Sequence, residues 1–195
     1  LSRVTLRMWS EKDTPAMPAA ATFTRATPHL KCLEIDARKL FGRFDHPSIQ
    51  RLRISGFDAI HAELELPALV ELDLALHCHL ATSRSAPPDT LFTGLGNGMP
   101  KLTTLDLSRN EPGYLDPHTL GGDTPIFELL IRLGCRDRLE KLTLPTPRDP
   151  AHLASVRAAV RSMPALRELT FARALDTDRK VLTANFARAG LQLNT

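Results

Sequence analysis

The stretch Leu102–Asn110 reads LTTLDLSRN and contains, in one place, the pattern Leu-x-x-Leu-x-Leu-x-x-Asn. Its first six residues return along the whole chain, with other apolar residues sometimes replacing leucine. The seven copies are LSRVTL, LKCLEI, IQRLRI, LVELDL, LTTLDL, LEKLTL and LRELTF, beginning at Leu1, Leu30, Ile49, Leu69, Leu102, Leu139 and Leu166. Five copies have a proline two residues upstream: Pro28, Pro47, Pro67, Pro100 and Pro164. A repeat on this scale indicates an array of similar structural units.

Successive copies begin 29, 19, 20, 33, 37 and 27 residues apart, around the roughly 20–29 residues of leucine-rich repeats. The quoted motifs resemble the leucine-rich repeat superfamily over essentially the whole chain. Long helical returns resemble its ribonuclease-inhibitor-like subclass, with irregular repeats. The main departure is at position 9 of the motif, where only Asn110 is an asparagine. The other copies carry Trp9, Arg38, Phe57, His77, Pro147 and Ala174.

The resemblance implies an α/β leucine-rich repeat solenoid of about seven to eight repeats. A curved parallel sheet would form its concave side, with helices and irregular returns on its convex side. One repeat cannot bury its leucines alone, so positions 1, 4 and 6 must stack into a continuous core. We expect residues 1–195 to be a single such domain, a fragment of a longer chain. We also expect one buried row: Leu33, Leu52, Leu72, Leu105, Leu142 and Leu169.

The segments between the motifs predict different returns along the chain. Helical spacing and capping residues predict helices over 125–133, over 150–163 with Asp149 as the cap, and over about 178–189. A weaker helical turn is expected at 89–95. The returns Asp36–His46 and Ser55–Leu66 are too short for a helix with two turns, so 3₁₀ or irregular chain is expected there. Gly190–Leu193 supplies an eighth strand, with Leu191 and Leu193 at motif positions 4 and 6 and Arg188 at position 1.

Side chains at motif positions 3, 5, 7 and 8 point away from the core and would line the concave face. Arg51 and Arg53 are expected to face Glu71 and Asp73 across one ladder step. The pattern predicts either a self-neutralising surface of weak ion pairs or, as we favour, a docking site. The candidate partner-binding residues are Glu34, Arg51, Arg53, Glu71, Asp73, Asp106, Lys141 and Glu168.

Asp73 and Asp106 lie on neighbouring strands of this prediction with no obvious cation between them. Like charges at that distance are unfavourable, so we expect this pair to accept a lysine or arginine from a partner.

No motif predicts a metal, a cofactor or a catalytic residue. The cluster His77-Cys78-His79 lacks the four convergent ligands of a zinc site and indicates a bend. The glycine-rich run 94–98 precedes a strand instead of following one, unlike a phosphate loop. We therefore predict that the chain is not an enzyme. A hydrolase site assembled from loops is the alternative.

Composition limits the kinds of partner to expect and indicates the cellular compartment. The net charge of +3, the pI near 9.0 and the 5% aromatic content disfavour nucleic acid. No apolar run approaches the roughly 20 residues that span a bilayer, which disfavours a membrane partner. Three scattered cysteines favour a reducing, cytoplasmic location.

We therefore predict a non-catalytic module that recognises another protein through its concave face. Two alternatives are a recognition segment of a larger multidomain protein, with an effector or enzymatic domain outside this chain, and a purely structural repeat.

Overall fold

The structure, a computed structural model, describes residues 2–8, 26–37, 39–57, 59–76, 98–110, 130–131, 133–147, 149–187 and 190–195. Its strands are β1 (Arg3–Met8), β2 (Cys32–Ala37), β3 (Lys39–Asp45), β4 (Arg51–Phe57), β5 (Ala59–Glu65), β6 (Glu71–Leu76), β7 (Thr104–Asp106), β8 (Lys141–Pro145), β9 (Glu168–Ala172) and β10 (Gln192–Asn194). Its helices are α1 (Pro150–Arg161) and α2 (Asp176–Phe186).

Eight strands form one parallel sheet in the order β1-β2-β4-β6-β7-β8-β9-β10. The α/β class with a mostly parallel sheet is therefore confirmed. The expected curvature is wrong, because the sheet is not curled. That residues 1–195 form one domain of a longer chain stays a prediction.

The position-4 leucines of neighbouring strands are direct partners in the sheet. The pairing joins Leu33, Leu52, Leu72, Leu105, Leu142 and Leu169 in that order, and none is more than 2% exposed. The predicted buried row is confirmed. Val4 and Leu193 continue it at the two edge strands, where both are only partly buried. Fully burying a leucine stabilises a fold by about 1.5–3 kcal/mol, so this row is a main source of stability.

A repeated backbone contact sets the register of the strands. The N–H groups of Lys31 and Cys32 both donate to the carbonyl of Ser2, at 3.1 and 3.0 Å. The same double donation recurs onto the carbonyls of Lys31, Gln50, Val70, Thr103 and Glu140. Because each motif binds the preceding one through the same atoms, the side chains of equivalent positions stay aligned across the sheet.

The two short returns differ from the expectation. Both contain strands, β3 and β5, which pair in parallel as a second, two-stranded sheet. Phe44 of β3 and Leu64 of β5 are 0% and 1% exposed and belong to the same core cluster as the leucine row. Seven extended residues span about 23 Å at roughly 3.3 Å each. The same residues in a helix would span only about 10 Å. A short return therefore crosses the back of the sheet as an extended strand.

The longer returns near the carboxyl end contain the expected helices. Asp149 caps α1, since its Oδ1 accepts a hydrogen bond from the backbone N–H of His152 at 2.8 Å. Helix α2 buries Leu182 and Phe186, and Phe186 packs against Phe171 of β9 with ring centroids 5.2 Å apart. The predicted eighth strand is present as β10, but its register was wrong by two residues, because Leu193 and not Leu191 pairs with the position-4 leucine Leu169. Most of 125–133, all of 89–95 and the cluster 77–79 lie outside the described residues.

The last glycine of the run 94–98 has a specific place. The carbonyl of Gly98 accepts a hydrogen bond from the N–H of Leu66 at 2.9 Å, immediately after β5. A Cβ added at Gly98 would overlap the Leu64 carbonyl oxygen. Glycine is therefore required here by close backbone approach, and the chain at this point extends the two-stranded layer behind the sheet.

Candidate functional site: the polar face of the sheet

One face of the eight-stranded sheet consists of the side chains at motif positions 3 and 5, and we refer to it as the polar face. Position 3 contributes Arg3, Cys32, Arg51, Glu71, Thr104, Lys141, Glu168 and Gln192. Position 5 contributes Thr5, Glu34, Arg53, Asp73, Asp106, Thr143, Thr170 and Asn194. Because these residues alternate with the buried leucines along each strand, they lie on the opposite side of the sheet from the core. All eight predicted site residues belong to these two rows.

A continuous network of charges crosses the first strands of this face. Glu34 accepts a hydrogen bond from Arg3 at 3.1 Å and lies 3.5 Å from Arg53. Arg53 in turn places its Nε 3.0 Å from Asp73, close enough for an ion pair but without the alignment of a hydrogen bond. Asp73 also accepts two hydrogen bonds from Arg109, at 2.8 and 3.2 Å. The alternation of signs along the network makes every contact attractive.

Two further ion pairs lie in the position-3 row. Arg51 Nε is 3.0 Å from Glu71, and Lys141 Nζ is 2.8 Å from Glu168. The predicted facing of Arg51 and Arg53 with Glu71 and Asp73 is thus confirmed in register and in contact. These cross-strand pairs are also what the self-neutralising interpretation requires. Exposed pairs of this kind stabilise a fold by only about 0–1 kcal/mol each.

The expectation for Asp73 and Asp106 is wrong. Asp73 already has two cations from its own chain, Arg53 and Arg109. Asp106 accepts a hydrogen bond from the backbone N–H of Ser108 at 2.8 Å and so stabilises the turn after β7. The two carboxylates are Cα partners in the sheet, and Arg109, which follows β7, binds Asp73. They therefore do not need a partner's cation.

Arg3 and Arg109 are the members of the network missing from the predicted site residues. Both occupy motif positions assigned to the outer face, position 3 and position 8. The pattern could therefore have pointed to Arg109. What it could not give is the direction of the side chain, which reaches back to the preceding strand instead of forward.

The single position-9 asparagine has a structural role beside this face. Asn110 is only 4% exposed, and its Nδ2 donates to the carbonyls of Leu74 and Leu107, both at 2.8 Å. The amide thus connects the turn after β7 to strand β6. The Leu107 carbonyl also accepts from the backbone N–H of Asn110 at 3.1 Å, so main chain and side chain of this residue both fix the turn.

The contacts shift the pKa values of two groups on the face. The hydrogen bond from Arg3 lowers the pKa of Glu34, against a smaller opposing effect of burial. The hydrogen bond with Glu168 raises the pKa of Lys141. Both shifts favour the charged forms of Glu34 and Lys141.

Two buried side chains away from this face, Cys135 and His46, are held in uncharged forms. Burial raises the pKa of Cys135 to about 11, which keeps its thiol protonated and unreactive. His46 is fully buried, and burial lowers its pKa. Its Nε2 lies 3.0 Å from the Thr27 carbonyl, and its Nδ1 accepts from the N–H of Ser48 at 3.3 Å. A neutral imidazole with the proton on Nε2 satisfies both contacts.

Searches for other kinds of site give no candidate within the described ranges. No group of three or more His, Cys, Asp or Glu residues there could hold a metal ion. None of the helices described is both long enough and apolar enough to cross a membrane. Comparison with protein-family models, with curated proteins and with solved structures finds no match to this chain. Proposals about its function therefore rest on the contacts of its own residues.

Proposed function

We propose that this chain is a non-catalytic leucine-rich repeat module, of the solenoid type with irregular repeats, that recognises another protein through its polar face. A cytoplasmic location is part of the same proposal. The observation that carries it is the register of the sheet: eight parallel strands place a row of leucines on one side and two rows of polar side chains on the other. Stacked repeats of this kind leave one extended surface free for a partner.

Two local contacts support the repeat assignment. The same double hydrogen bond onto the position-2 carbonyl recurs between successive motifs, so the motifs are structurally equivalent as well as similar in sequence. Asn110 uses its buried amide to bond backbone carbonyls of two adjacent repeats, which gives a physical reason for the asparagine in the best copy of the motif.

The arrangement of charged side chains on the polar face supports recognition of another protein. The partly buried charges Arg53, Asp73 and Arg109 are already positioned by contacts with one another, so less side-chain entropy is lost when a partner binds. Ordering a long side chain at an interface costs about 0.5–1.5 kcal/mol, and pre-positioned groups reduce that cost. The position-3 and position-5 rows contain no aromatic residue, so base stacking of a nucleic acid has no platform there.

A charge-exchange experiment tests this proposal. The wild-type chain is used as bait, captured proteins are identified by mass spectrometry, and each purified candidate is titrated against the chain. Exchanging Arg51 and Glu71 through Arg51→Glu with Glu71→Arg rebuilds their ion pair in the opposite sense. We expect the Kd of a genuine partner to rise about tenfold, a change of roughly 1.4 kcal/mol.

The matched control is Arg161→Glu, at an exposed position in the last turn of α1. This substitution reverses one charge away from the polar face and is expected to leave the Kd unchanged. Melting curves of each variant establish that folding is retained. An unchanged Kd in the exchanged variant, or an equal loss in the control, would contradict recognition through the polar face.

A further inference from the structure

The cations of the polar face stand further into solvent than the carboxylates that bind them. The side chains of Arg3 and Arg51 are 67% and 68% exposed, and that of Lys141 is 57% exposed. Their partners Glu34, Glu71 and Glu168 are 24%, 42% and 30% exposed. The formal charges nearly cancel, but the outermost layer of the position-3 row is cationic. An approaching molecule therefore meets guanidinium and ammonium groups first.

These cations retain capacity for another anion. A guanidinium has five N–H donors and an ammonium has three. Among the described residues, Arg3 uses Nη2 toward Glu34, Arg51 places Nε against Glu71, and Lys141 places Nζ against Glu168. Such exposed pairs are weak, so a second carboxylate binds without a large cost in broken contacts.

The three cations have a definite spacing along the row. Strands lie about 4.8 Å apart, and Arg3 in β1 and Arg51 in β4 are two ladder steps apart. Lys141 in β8 is three further steps along the sheet. The intervals are therefore about 10 and 14 Å. An extended peptide advances about 3.3 Å per residue and alternates its side chains between two sides, so a continuous acidic run presents a carboxylate toward the row about every 7 Å, close to each of the three cations.

The remaining carboxylates of the face, including Asp73 and Asp106, belong to the position-5 row, about 7 Å further along the strands. A ligand that follows the position-3 row therefore avoids them.

From this arrangement we infer that the partner presents an extended acidic segment, which crosses the strands along the position-3 row and binds Arg3, Arg51 and Lys141. This inference rests on the proposed function and specifies the chemistry of the partner. Electrostatic complementarity of this kind chiefly raises the association rate and gives specificity. The absence of aromatic residues from the two rows favours a peptide over a single-stranded nucleic acid.

Fluorescence anisotropy with three labelled probes tests the inference: a peptide of ten glutamates, a peptide of ten lysines, and a twelve-nucleotide single-stranded DNA. We expect the acidic peptide to bind best and its Kd to rise with salt. The triple variant Arg3→Gln, Arg51→Gln and Lys141→Gln is expected to raise that Kd about tenfold or more, with Arg161→Gln as the matched control.

A second variant separates the inference from loss of folding. Glu71→Gln with Glu168→Gln removes the acidic partners in the row, so the acidic peptide is expected to bind several-fold more tightly. No binding of the acidic peptide at about 1 mM, a Kd scale of weak contacts, would overturn the inference. Preference for the basic peptide would overturn it while leaving recognition through the polar face intact. Tighter binding of DNA, lost in the triple variant, would overturn both proposals.

Discussion

The amino-terminal and carboxyl-terminal parts of this molecule share one sheet but have different layers behind it. Behind the strands β2, β4 and β6 lies the two-stranded layer β3–β5, whereas the later repeats return through α1 and α2. The polar face also differs between the amino-terminal and carboxyl-terminal parts. A branched charge network joins β1, β2, β4 and β6, while β8, β9 and β10 carry one ion pair beside Thr143, Thr170 and Asn194.

The difference in the back layer follows from repeat length. The motifs beginning at Leu30 and Ile49 are followed by the next copy after 19 and 20 residues, and that at Leu139 after 27. A return must travel about the length of a strand, and a helix rises only about 1.5 Å per residue against roughly 3.3 Å for a strand. Short repeats therefore return in extended form, and only long repeats have enough residues for a helix.

The largest effect is expected from creating a cavity in the buried leucine row, once in the amino-terminal part and once in the carboxyl-terminal part. Leu72→Ala in β6 and Leu142→Ala in β8 remove side chains that are 0% and 1% exposed in the same buried row. Each is expected to lower the free energy of unfolding by about 2–5 kcal/mol, measured by urea denaturation. Because the core is continuous, both variants are expected to unfold in a single transition. Two separate transitions, each moved by only one substitution, would contradict a shared core.

The second test compares two glycines, one in each part. Gly98→Ala places a Cβ against the Leu64 carbonyl oxygen, and overpacking of this kind costs about 1–3 kcal/mol. Gly190 has open space around it but a φ of 78°. Gly190→Ala is therefore expected to lose only about 1 kcal/mol through backbone strain. Thermal unfolding of both variants provides the measurement. A larger loss at Gly190 would contradict the close approach at Gly98.

The third test uses pH and concerns only the amino-terminal part. His46 precedes Pro47 at a position where later copies carry the buried residues Leu66, Met99 and Met163. Because burial holds its pKa in the fold below the ordinary 6.5, the unfolded chain binds the extra proton first. The stabilising effect of neutral His46 is complete above about pH 6.5 and declines as the pH falls toward the lower folded pKa.

Denaturation of the wild type and of His46→Leu between pH 7.5 and 5 measures this effect. The variant carries leucine, which is apolar like the equivalent residues of later copies. Its free energy of unfolding is expected to fall less than that of the wild type as the pH drops below 6.5. Equal pH dependence in the two proteins would show that His46 does not titrate between these states.

The smallest expected effects concern the ion pairs. Double-mutant cycles on Asp73 with Arg109 are expected to give a coupling of about 0.5–1 kcal/mol, because that carboxylate is only 19% exposed and has two cations. The more exposed pair Lys141–Glu168 is expected to couple more weakly and to lose its coupling in 1 M salt, where the Debye length is about 3 Å. Equal coupling energies for these two ion pairs would contradict the difference between the amino-terminal and carboxyl-terminal parts of the polar face.

Sequence patterning was sufficient for the features that depend on side-chain period. The alternation within Leu-x-x-Leu-x-Leu identified the strands, the buried row and the residues of the polar face, because strand geometry forces neighbouring side chains to opposite sides. It also identified α1 and its cap Asp149, since capping chemistry is local. The strands β3 and β5 were missed, although Leu40, Gly42 and Phe44, followed by Ile60, Ala62 and Leu64, also alternate with other residues. Strand β3 pairs with β5 of the next repeat, and the residues close to either strand in sequence do not reveal that pairing.

By itself, then, the amino-acid sequence determined which residues are buried and which line the polar face, because those properties follow from the short-range geometry of a strand. Only the tertiary structure decided that Arg109 binds Asp73, that the short returns form a second sheet, and that the cations stand above their carboxylates. These outcomes depend on distances between residues far apart in the chain. Such distances exist only once the repeats have stacked.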